Sequence, residues 1–281
     1  MSGFFIAVFI LLWASAPTAT KFGLPEAAPL TLATIRFLMA GPLLLLLLAL
    51  RQQFVWPKGK DWWRLMILGL LNTTIYLGGT FLALESISPG LFTLIIATGP
   101  LWVVLFSKIF LGRSLQMREV LGFLLSFLGV AVAVGPHLLS GSSSSIGLIE
   151  SILAVMATSL GTVYYKKSPP TVSGPLVNGW QVFLGGLLLA PIAYLFNGKE
   201  AVTWNLSLVL SLLWLIIAVS MIAMLLWYKL LILDPVVASR YLFLTPIAGY
   251  LIAFLVLGTP LTYWALAGTI FVMGGLRVAI P

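Results

Sequence analysis

An arginine lies between two prolines in a strongly apolar stretch of the chain, "DPVVASRYLFLTP", which places Arg240 between Pro235 and Pro246. A guanidinium group presents five N–H donors in a fixed fork and binds carboxylates in a bidentate manner. At the bilayer centre it costs about 2.5–3.5 kcal/mol on insertion scales, so it usually faces protein or water. Two interpretations of Arg240 remain open: contact with an anionic substrate group, or snorkelling to the membrane surface and pairing with Asp234.

Two matched prolines add a second kind of candidate. Pro100 and Pro246 each lie eleven positions after another proline that follows a capping residue, Ser88 or Asp234. At a rise of 1.5 Å per residue this places them about 16 Å along a helix, near the middle of a bilayer core of roughly 30 Å. A proline there removes a backbone hydrogen bond and kinks the helix. The spacing therefore predicts free carbonyls at Ile96 and Leu242 and a gating bend at each proline, with a simple packing kink as the alternative.

Polar and aromatic side chains at helical spacing complete the candidate site. Asn72, Tyr76 and Thr80 follow one another at four-residue intervals, as do Thr98 and Trp102. Each such row alone more often forms hydrogen bonds between helices or belongs to an aromatic belt at the membrane interface. The candidate substrate-binding residues are Arg240, Trp13, Asn72, Tyr76, Thr98, Trp102, Thr162 and Trp227.

A second intramembrane arginine, Arg36, shares its predicted helix with no acidic residue. We expect it to anchor its helix near the surface of the bundle, with substrate contact as the alternative.

The elements that must position these residues are membrane helices. Of the 281 residues 61% are hydrophobic and 8% charged, and the mean hydropathy is +1.13, whereas soluble domains contain about 25% charged residues. This composition predicts an all-α integral membrane protein and excludes a soluble enzyme. Ten apolar runs are long enough to span a bilayer: 3–20, 29–50, 62–83, 89–110, 118–138, 146–165, 176–196, 207–230, 236–257 and 262–279.

The basic residues predict the orientation of the chain. Short loops rich in Lys and Arg remain in the cytoplasm. With a cytoplasmic N-terminus, eleven basic residues fall on the inner side and only Lys21 and Lys199 on the outer side. Both termini are therefore predicted to be cytoplasmic. Because the basic residues lie in short loops, the net charge of +8 does not indicate nucleic-acid binding.

An internal duplication divides the chain. "SPGLFTLIIATGPLW" from Ser88 and "DPVVASRYLFLTPIA" from Asp234 align at an offset of 146 positions, and the same offset relates Gly122 to Gly268 and Gly129 to Gly275. Each copy holds an odd number of spans, so the second copy enters the membrane from the opposite side. The prediction is two inverted five-helix repeats, 1–139 and 146–281, joined by the linker 140–145. Inverted repeats are typical of secondary transporters, whose substrate site lies at the junction of the halves.

Rows of small residues occupy one face of the fifth and tenth predicted spans. Gly122, Gly129 and Ala133 form one row, and Gly268 and Gly275 belong to the other. Such rows allow helices to approach closely. We interpret them as packing within a monomer, with homodimerisation as the alternative.

Together the inverted repeats, the motif "ATIRFLMAG", the paired prolines and the glycines of the fifth and tenth spans resemble the EamA family of the drug/metabolite transporter superfamily. The resemblance covers essentially the whole chain. It implies ten helices around a central cavity lined mainly by spans 1, 3, 4, 6, 8 and 9, and export of amino acids, metabolites or drugs. One departure concerns a glutamate that often follows "LG" in each half of the family, where this chain has Arg113 and Thr259.

The sequence therefore predicts a multi-pass protein of the bacterial inner membrane that exports or facilitates passage of small solutes. The resemblance favours amino acids, including aromatic or other hydrophobic ones, moved by alternating access. Organic cations or drugs and anionic metabolites are the alternatives. A membrane-embedded enzyme would need clustered acids, histidines or a metal site, but the only histidine is His137 and no acid falls in mid-span. No cofactor and no partner beyond the solute and the bilayer are expected.

Overall fold

Helices form almost the whole architecture. The computed structural model describes residues 3–139, 144–197, 201–233 and 244–279, and no β-strand occurs within these ranges. The helices in chain order are α1 (Gly3–Gly23), α2 (Pro29–Leu50), α3 (Asp61–Ser86), α4 (Pro89–Ile96), α5 (Gly99–Leu111), α6 (Met117–Leu139), α7 (Ser145–Lys167), α8 (Gly174–Asn197), α9 (206–233), α10 (Thr245–Leu257) and α11 (Tyr263–Ala279).

Most of these helices can cross a bilayer. Within the described ranges, eight helical segments are long and apolar enough to do so, and α4 with α5 counts as one of them. The two remaining apolar helices, α10 and α11, are shorter. Eight of the ten predicted spans are therefore matched by helices of spanning length. Part of the ninth, 236–257, lies outside the described residues.

The fourth span is interrupted where Pro100 predicted a kink. Helix α4 ends at Ile96, a turn covers Ala97 and Thr98, and Pro100 lies in the first turn of α5. Proline is favoured at that position because the amide it lacks would be unpaired there. The Thr98 hydroxyl donates to the Ile95 carbonyl at 2.6 Å and so satisfies one carbonyl at the break. The proline thus starts a new helix instead of bending a continuous one.

Helices α5 and α10 correspond in length and in both ends. The first and last residues of α10 each lie 146 positions after those of α5, and Pro246, like Pro100, lies in the first turn. Each helix ends at a glycine with φ 67° and ψ 17°, Gly112 or Gly258. This left-handed conformation favours glycine and terminates the helix.

Helices α6 and α11 pack through their small residues and run antiparallel. A side chain at Gly122 would collide with the Gly275 carbonyl, whereas one at Gly268 would collide with the Gly129 carbonyl. The Ser126 hydroxyl donates to the Val272 carbonyl across this contact at 3.2 Å. The interpretation of the small-residue rows as packing within the fold is confirmed.

Helices α2 and α8 form a second close antiparallel contact. A side chain at Gly41 would lie 2.7 Å from the Phe183 nitrogen, and one at Gly186 would lie 3.3 Å from the Leu38 nitrogen. As positions advance along α2 they retreat along α8, which sets the antiparallel direction. Buried residues such as Phe37 and Leu189 from these helices belong to the same apolar core.

Two of the helices contain a wide-turn segment. Residues Leu70–Ile75 of α3 and Trp214–Ala223 of α9 are π-helical. Short π-helical insertions are rare and frequently mark functional sites. Helix α8 packs against the π-helical segment of α3, and α2 packs against that of α9.

Both π-containing helices are held at their first turns. At the start of α3, the Asp61 carboxylate accepts from Arg64 at 2.9 Å and from the backbone amide of Thr171 at 3.1 Å. Near the start of α9, the Ser211 hydroxyl donates to the Ala19 carbonyl of α1 at 2.7 Å. These contacts fix α3 and α9 on either side of the site described next.

Candidate functional site

Arg36 lies inside the helix bundle. It is seven residues after Pro29, about 10 Å along α2, and its exposed fraction is only 5%. The expectation that Arg36 anchors its helix near the bundle surface is therefore wrong. The sequence pattern missed this because α2 is apolar on every side, so periodicity does not distinguish a lipid-facing from a buried position.

The Arg36 guanidinium contacts the hydroxyl of Ser220 and the rings of Phe37 and Phe81. Nε and Nη2 donate to Ser220 Oγ of α9 at 3.3 and 3.1 Å. Cζ lies 5.4 Å from the ring centroid of Phe37 and 5.8 Å from that of Phe81. Tyr76 of α3 is close enough to interact with it electrostatically. Cation–π contacts at these distances stabilise the cation without using its N–H donors.

No carboxylate within the described ranges neutralises Arg36. The two ion pairs found there are Arg64 with Asp61 at 2.9 Å and Arg113 with Glu119 at 2.6 Å. Taking a charge out of water costs several kcal/mol unless a partner compensates it. Arg36 is thus a buried cation with a hydroxyl and aromatic rings around it, an arrangement that can accept the carboxylate of a small solute.

Asn72, in contrast, belongs to a hydrogen-bond network of neutral groups. Its Nδ2 donates to Gln181 Oε1 of α8 at 3.0 Å, and its Oδ1 accepts from Thr158 of α7 at 3.2 Å. Gln181 in turn donates to Asn178 Oδ1 at 3.3 Å. Gly161 allows the close approach, since a side chain there would collide with the Asn72 amide. Asn72 therefore joins three helices, and both its donor and its acceptor atoms have protein partners.

The predicted row of Asn72, Tyr76 and Thr80 is divided in the structure. Asn72 contacts α7 and α8, whereas Tyr76 lies by Arg36 of α2. The π-helical segment Leu70–Ile75 separates the two, and its wider turns shift every later residue around the helix axis. The four-residue spacing assumed a regular α-helix, so the π-helical segment alters the relative orientation of Asn72 and Tyr76.

The predicted aromatic residues fall into separate clusters. Phe9 joins Trp13 and Trp227: its ring centroid lies 6.0 Å from that of Trp13 and 5.3 Å from that of Trp227, on which it stacks. Trp102 packs on Phe123 of α6 at 5.5 Å. The structure thus brings Trp13 and Trp227 together but gives Trp102 a different neighbourhood.

The remaining predicted residues occupy diverse positions. Thr98 is buried at the break between α4 and α5 and bonds to the backbone there. Thr162 is exposed on α7, where its hydroxyl donates to the Thr158 carbonyl of its own helix. Pro100 and Pro246 begin α5 and α10. Arg240 lies outside the described residues, as do Asp234, Pro235 and Leu242.

The sequence interpretation overlooked Gln181 and Asn178. Both are polar residues inside the apolar helix α8, within "LVNGWQVFLGG", and Asn178 is only 3% exposed. A search for uncharged amides inside apolar helices would have found them, because buried amides require partners. No group of three or more potential metal-binding His, Asp or Glu side chains occurs in the part of the chain that the structure describes.

Comparison with known proteins identifies the family that this chain resembles. Residues 1–135 and 145–280 match the EamA-like transporter family. The uncharacterized transporter YvbV of Bacillus subtilis is 28% identical over 95% of this chain and 88% of its own length. Protein PecM of Dickeya dadantii is 30% identical over 95% of this chain and 88% of its own length.

A solved crystal structure shares the fold. It superposes with a TM-score of 0.66 at 19% sequence identity, covering 98% of this chain and 96% of the other. At that identity the likeness concerns the arrangement of helices and not the solute.

Proposed function

The chain belongs to the EamA-like transporter family, and from this premise we propose that it is a secondary transporter of small solutes that carry a carboxylate. Amino acids with aromatic or other hydrophobic side chains fit best, exported or allowed to equilibrate across the membrane. The family is one of transporters, and YvbV is named as a transporter, so the chain is a multi-pass membrane transporter and not an enzyme.

The observation that carries this proposal is the buried, acid-free Arg36. The residue is 5% exposed, its guanidinium donates to Ser220 alone among described acceptors, and the rings of Phe37 and Phe81 lie against it. A bound carboxylate supplies the missing negative charge and accepts the remaining N–H donors. The neighbouring aromatic rings offer an apolar surface for a hydrophobic side chain.

The same cation weighs against organic cations and cationic drugs as solutes. Two positive charges in a low-dielectric site repel each other strongly, and no carboxylate in the described ranges pairs with Arg36. Anionic metabolites share the carboxylate chemistry and form the second candidate class. Competition for uptake by a dicarboxylate or a sugar phosphate separates that class from amino acids.

We propose alternating access between two inverted halves, 1–139 and 146–281, joined by the linker 140–145 and enclosing a central cavity. Three features support it: the matched ends of α5 and α10, the antiparallel packing of α6 with α11, and the π-helical segments of α3 and α9. The helix starts at Pro100 and Pro246 are the proposed hinges, since irregular backbone lines the binding site in such transporters.

The proposed setting is the inner membrane of a bacterium, with both termini in the cytoplasm. Support comes from the distribution of basic residues, eleven on the proposed inner side against Lys21 and Lys199 on the outer side. Arg240 remains a second proposed ligand for the solute carboxylate, and the carbonyl of Leu242 a proposed ligand for its ammonium group. Both rest on the sequence alone.

Uptake into proteoliposomes tests the role of Arg36. L-phenylalanine and L-phenylalaninamide differ only in the carboxylate, so we compare counterflow of both for the unaltered protein, Arg36→Gln and Arg36→Lys. Arg36→Gln is expected to reduce phenylalanine uptake about thirtyfold or more, because one partner of a buried charge pair is removed. The amide carries a net positive charge, so its uptake is expected to be weaker than that of phenylalanine in the unaltered protein and not to fall in Arg36→Gln. Arg36→Lys is expected to retain part of the phenylalanine uptake.

Equal loss of both probes in Arg36→Gln, in protein that remains folded and monodisperse, contradicts this assignment and makes Arg36 structural. Arg240→Ala is measured in parallel. If Arg240→Ala alone abolishes the preference for the carboxylate, then Arg240 and not Arg36 is the anion ligand.

A further inference from the structure

An apolar groove lies between α2 and α8, at the end where α2 finishes and α8 begins. Its volume is about 270 Å³. The lining residues are Pro42, Leu45, Leu46, Ala49, Phe54, Trp56, Trp180 and Phe183. All are apolar or aromatic, and the volume lies just below the roughly 300–1,000 Å³ of pockets that enclose a whole small molecule. The groove therefore fits a flexible hydrocarbon segment better than a polar solute.

The aromatic wall of this groove is built by the loop after α2. Phe54 packs on Trp56 with ring centroids 5.2 Å apart, and Trp56 packs on Trp180 of α8 at 5.6 Å. Although it contributes to this wall, Trp56 remains 62% exposed. Tryptophans with one face in an apolar environment and the rest exposed are typical of the boundary between membrane and water.

The same loop is positively charged. Arg51, Lys58 and Lys60 are all exposed and fall within ten residues after the end of α2. The acid of this segment, Asp61, is only 2% exposed and already accepts from Arg64 and Thr171. No acid in the described ranges forms an ion pair with the three exposed cations. An apolar groove thus ends beside a cluster of free positive charges.

We propose that this groove and loop form a binding site for an anionic phospholipid, with an acyl chain in the groove and the headgroup on Arg51, Lys58 and Lys60. Basic clusters next to a membrane helix attract anionic headgroups, and pockets between helices hold lipids there. Helix α2 contains Arg36 and also lines the groove. The bound lipid therefore stabilises the position of the helix on which the proposed solute site depends. The lipid site itself does not depend on the identity of the solute.

Native mass spectrometry of the purified protein tests this proposal with two lipids, dioleoylphosphatidylglycerol and dioleoylphosphatidylcholine. The unaltered protein is expected to retain phosphatidylglycerol preferentially. The triple variant Arg51→Gln, Lys58→Gln, Lys60→Gln is expected to lower phosphatidylglycerol affinity about tenfold or more and to leave phosphatidylcholine binding unchanged, because each basic residue contributes to anion attraction.

A matched control removes the same number of charges elsewhere. Lys108, Arg118 and Lys229 are also exposed, and their replacement by Gln is expected to preserve the lipid preference. Ala49→Trp fills the groove and is expected to reduce retention of both lipids in protein that remains monodisperse. Equal loss in the two triple variants, no preference in the unaltered protein, or unchanged lipid retention in Ala49→Trp each overturns the proposal. A dimer that Ala49→Trp abolishes, with lipid retention unaffected, assigns the groove to a second copy of the chain instead.

Discussion

In two places in this protein an α-helix packs on a π-helical segment, but the polar side chains at the two contacts differ. Helix α2 packs on the π-helical segment of α9, and α8 packs on that of α3. Gly41 contacts Phe183, and Gly186 contacts Leu38. Gly186 therefore corresponds to Gly41 and Phe183 to Leu38, each 145 positions later in the chain. At that offset Gln181 of α8 corresponds to Arg36 of α2.

Gln181 and Arg36 have different kinds of hydrogen-bond partner. Gln181 accepts from Asn72 and donates to Asn178, so its network is neutral. Arg36 donates to Ser220 and meets no acid among the described residues. Because the α8 contact packs without a charge, packing of a helix on a π-helical segment does not itself require a cation. The difference supports a structural role for the Gln181 contact and is consistent with the proposed solute binding at the Arg36 contact.

The largest effect on stability is expected from Arg36→Met, which removes an uncompensated buried charge and keeps the volume. We expect the free energy of unfolding to increase by about 1–4 kcal/mol, as happens when buried charged groups are replaced by apolar side chains. Denaturant titration of the detergent-solubilised protein measures it.

Arg64→Met is the matched control for that variant. It removes the partner of Asp61, which is 2% exposed, and so it is expected to destabilise the protein. A loss of stability in Arg36→Met as large as that in Arg64→Met would show that the bundle requires Arg36.

Asn72→Leu is expected to have the next largest effect. It leaves Gln181 and Thr158 without their partner, and a buried polar group without a partner costs about 1–3 kcal/mol. The free energy of unfolding should fall by that amount. Thr162→Val serves as control, since the Thr162 hydroxyl bonds only within α7 and its loss should change little. Unaltered stability in Asn72→Leu would remove the distinction between the two contacts.

Ser220→Ala is expected to have the smallest effect. The hydroxyl positions the Arg36 guanidinium, so its loss loosens the cation without removing it. We expect KM for phenylalanine counterflow to rise about two- to fivefold, equivalent to about 0.5–1 kcal/mol of binding, with little change in maximal rate. Ser211→Ala, which breaks a hydrogen bond from α9 to α1, should leave KM unchanged. An equal rise in both variants would indicate a general loosening of α9.

Parts of the fold could be predicted from particular residues. The apolar runs marked eight of the spans, and the offset of 146 between the two proline motifs correctly related the ends of α5 to those of α10. The candidate site was predicted less well. Regular helical spacing related Asn72 to Tyr76, but the π-helical segment Leu70–Ile75 changes that spacing between them. No residue type announces such a segment, because its stability comes from the helices packed around it.

The amino-acid sequence by itself determined that this chain is a helical membrane protein with a duplicated pattern. The length of an apolar run and the spacing of a repeat can both be read along the chain without knowing which segments pack together. The tertiary structure alone decided the environment of Arg36, because burial and the lack of an acidic partner depend on α3 and α9, which are distant in sequence. The sequence showed where a charge occurs in an apolar helix. Only the packing of other helices around it showed that the charge is buried and has no acidic partner among the described residues.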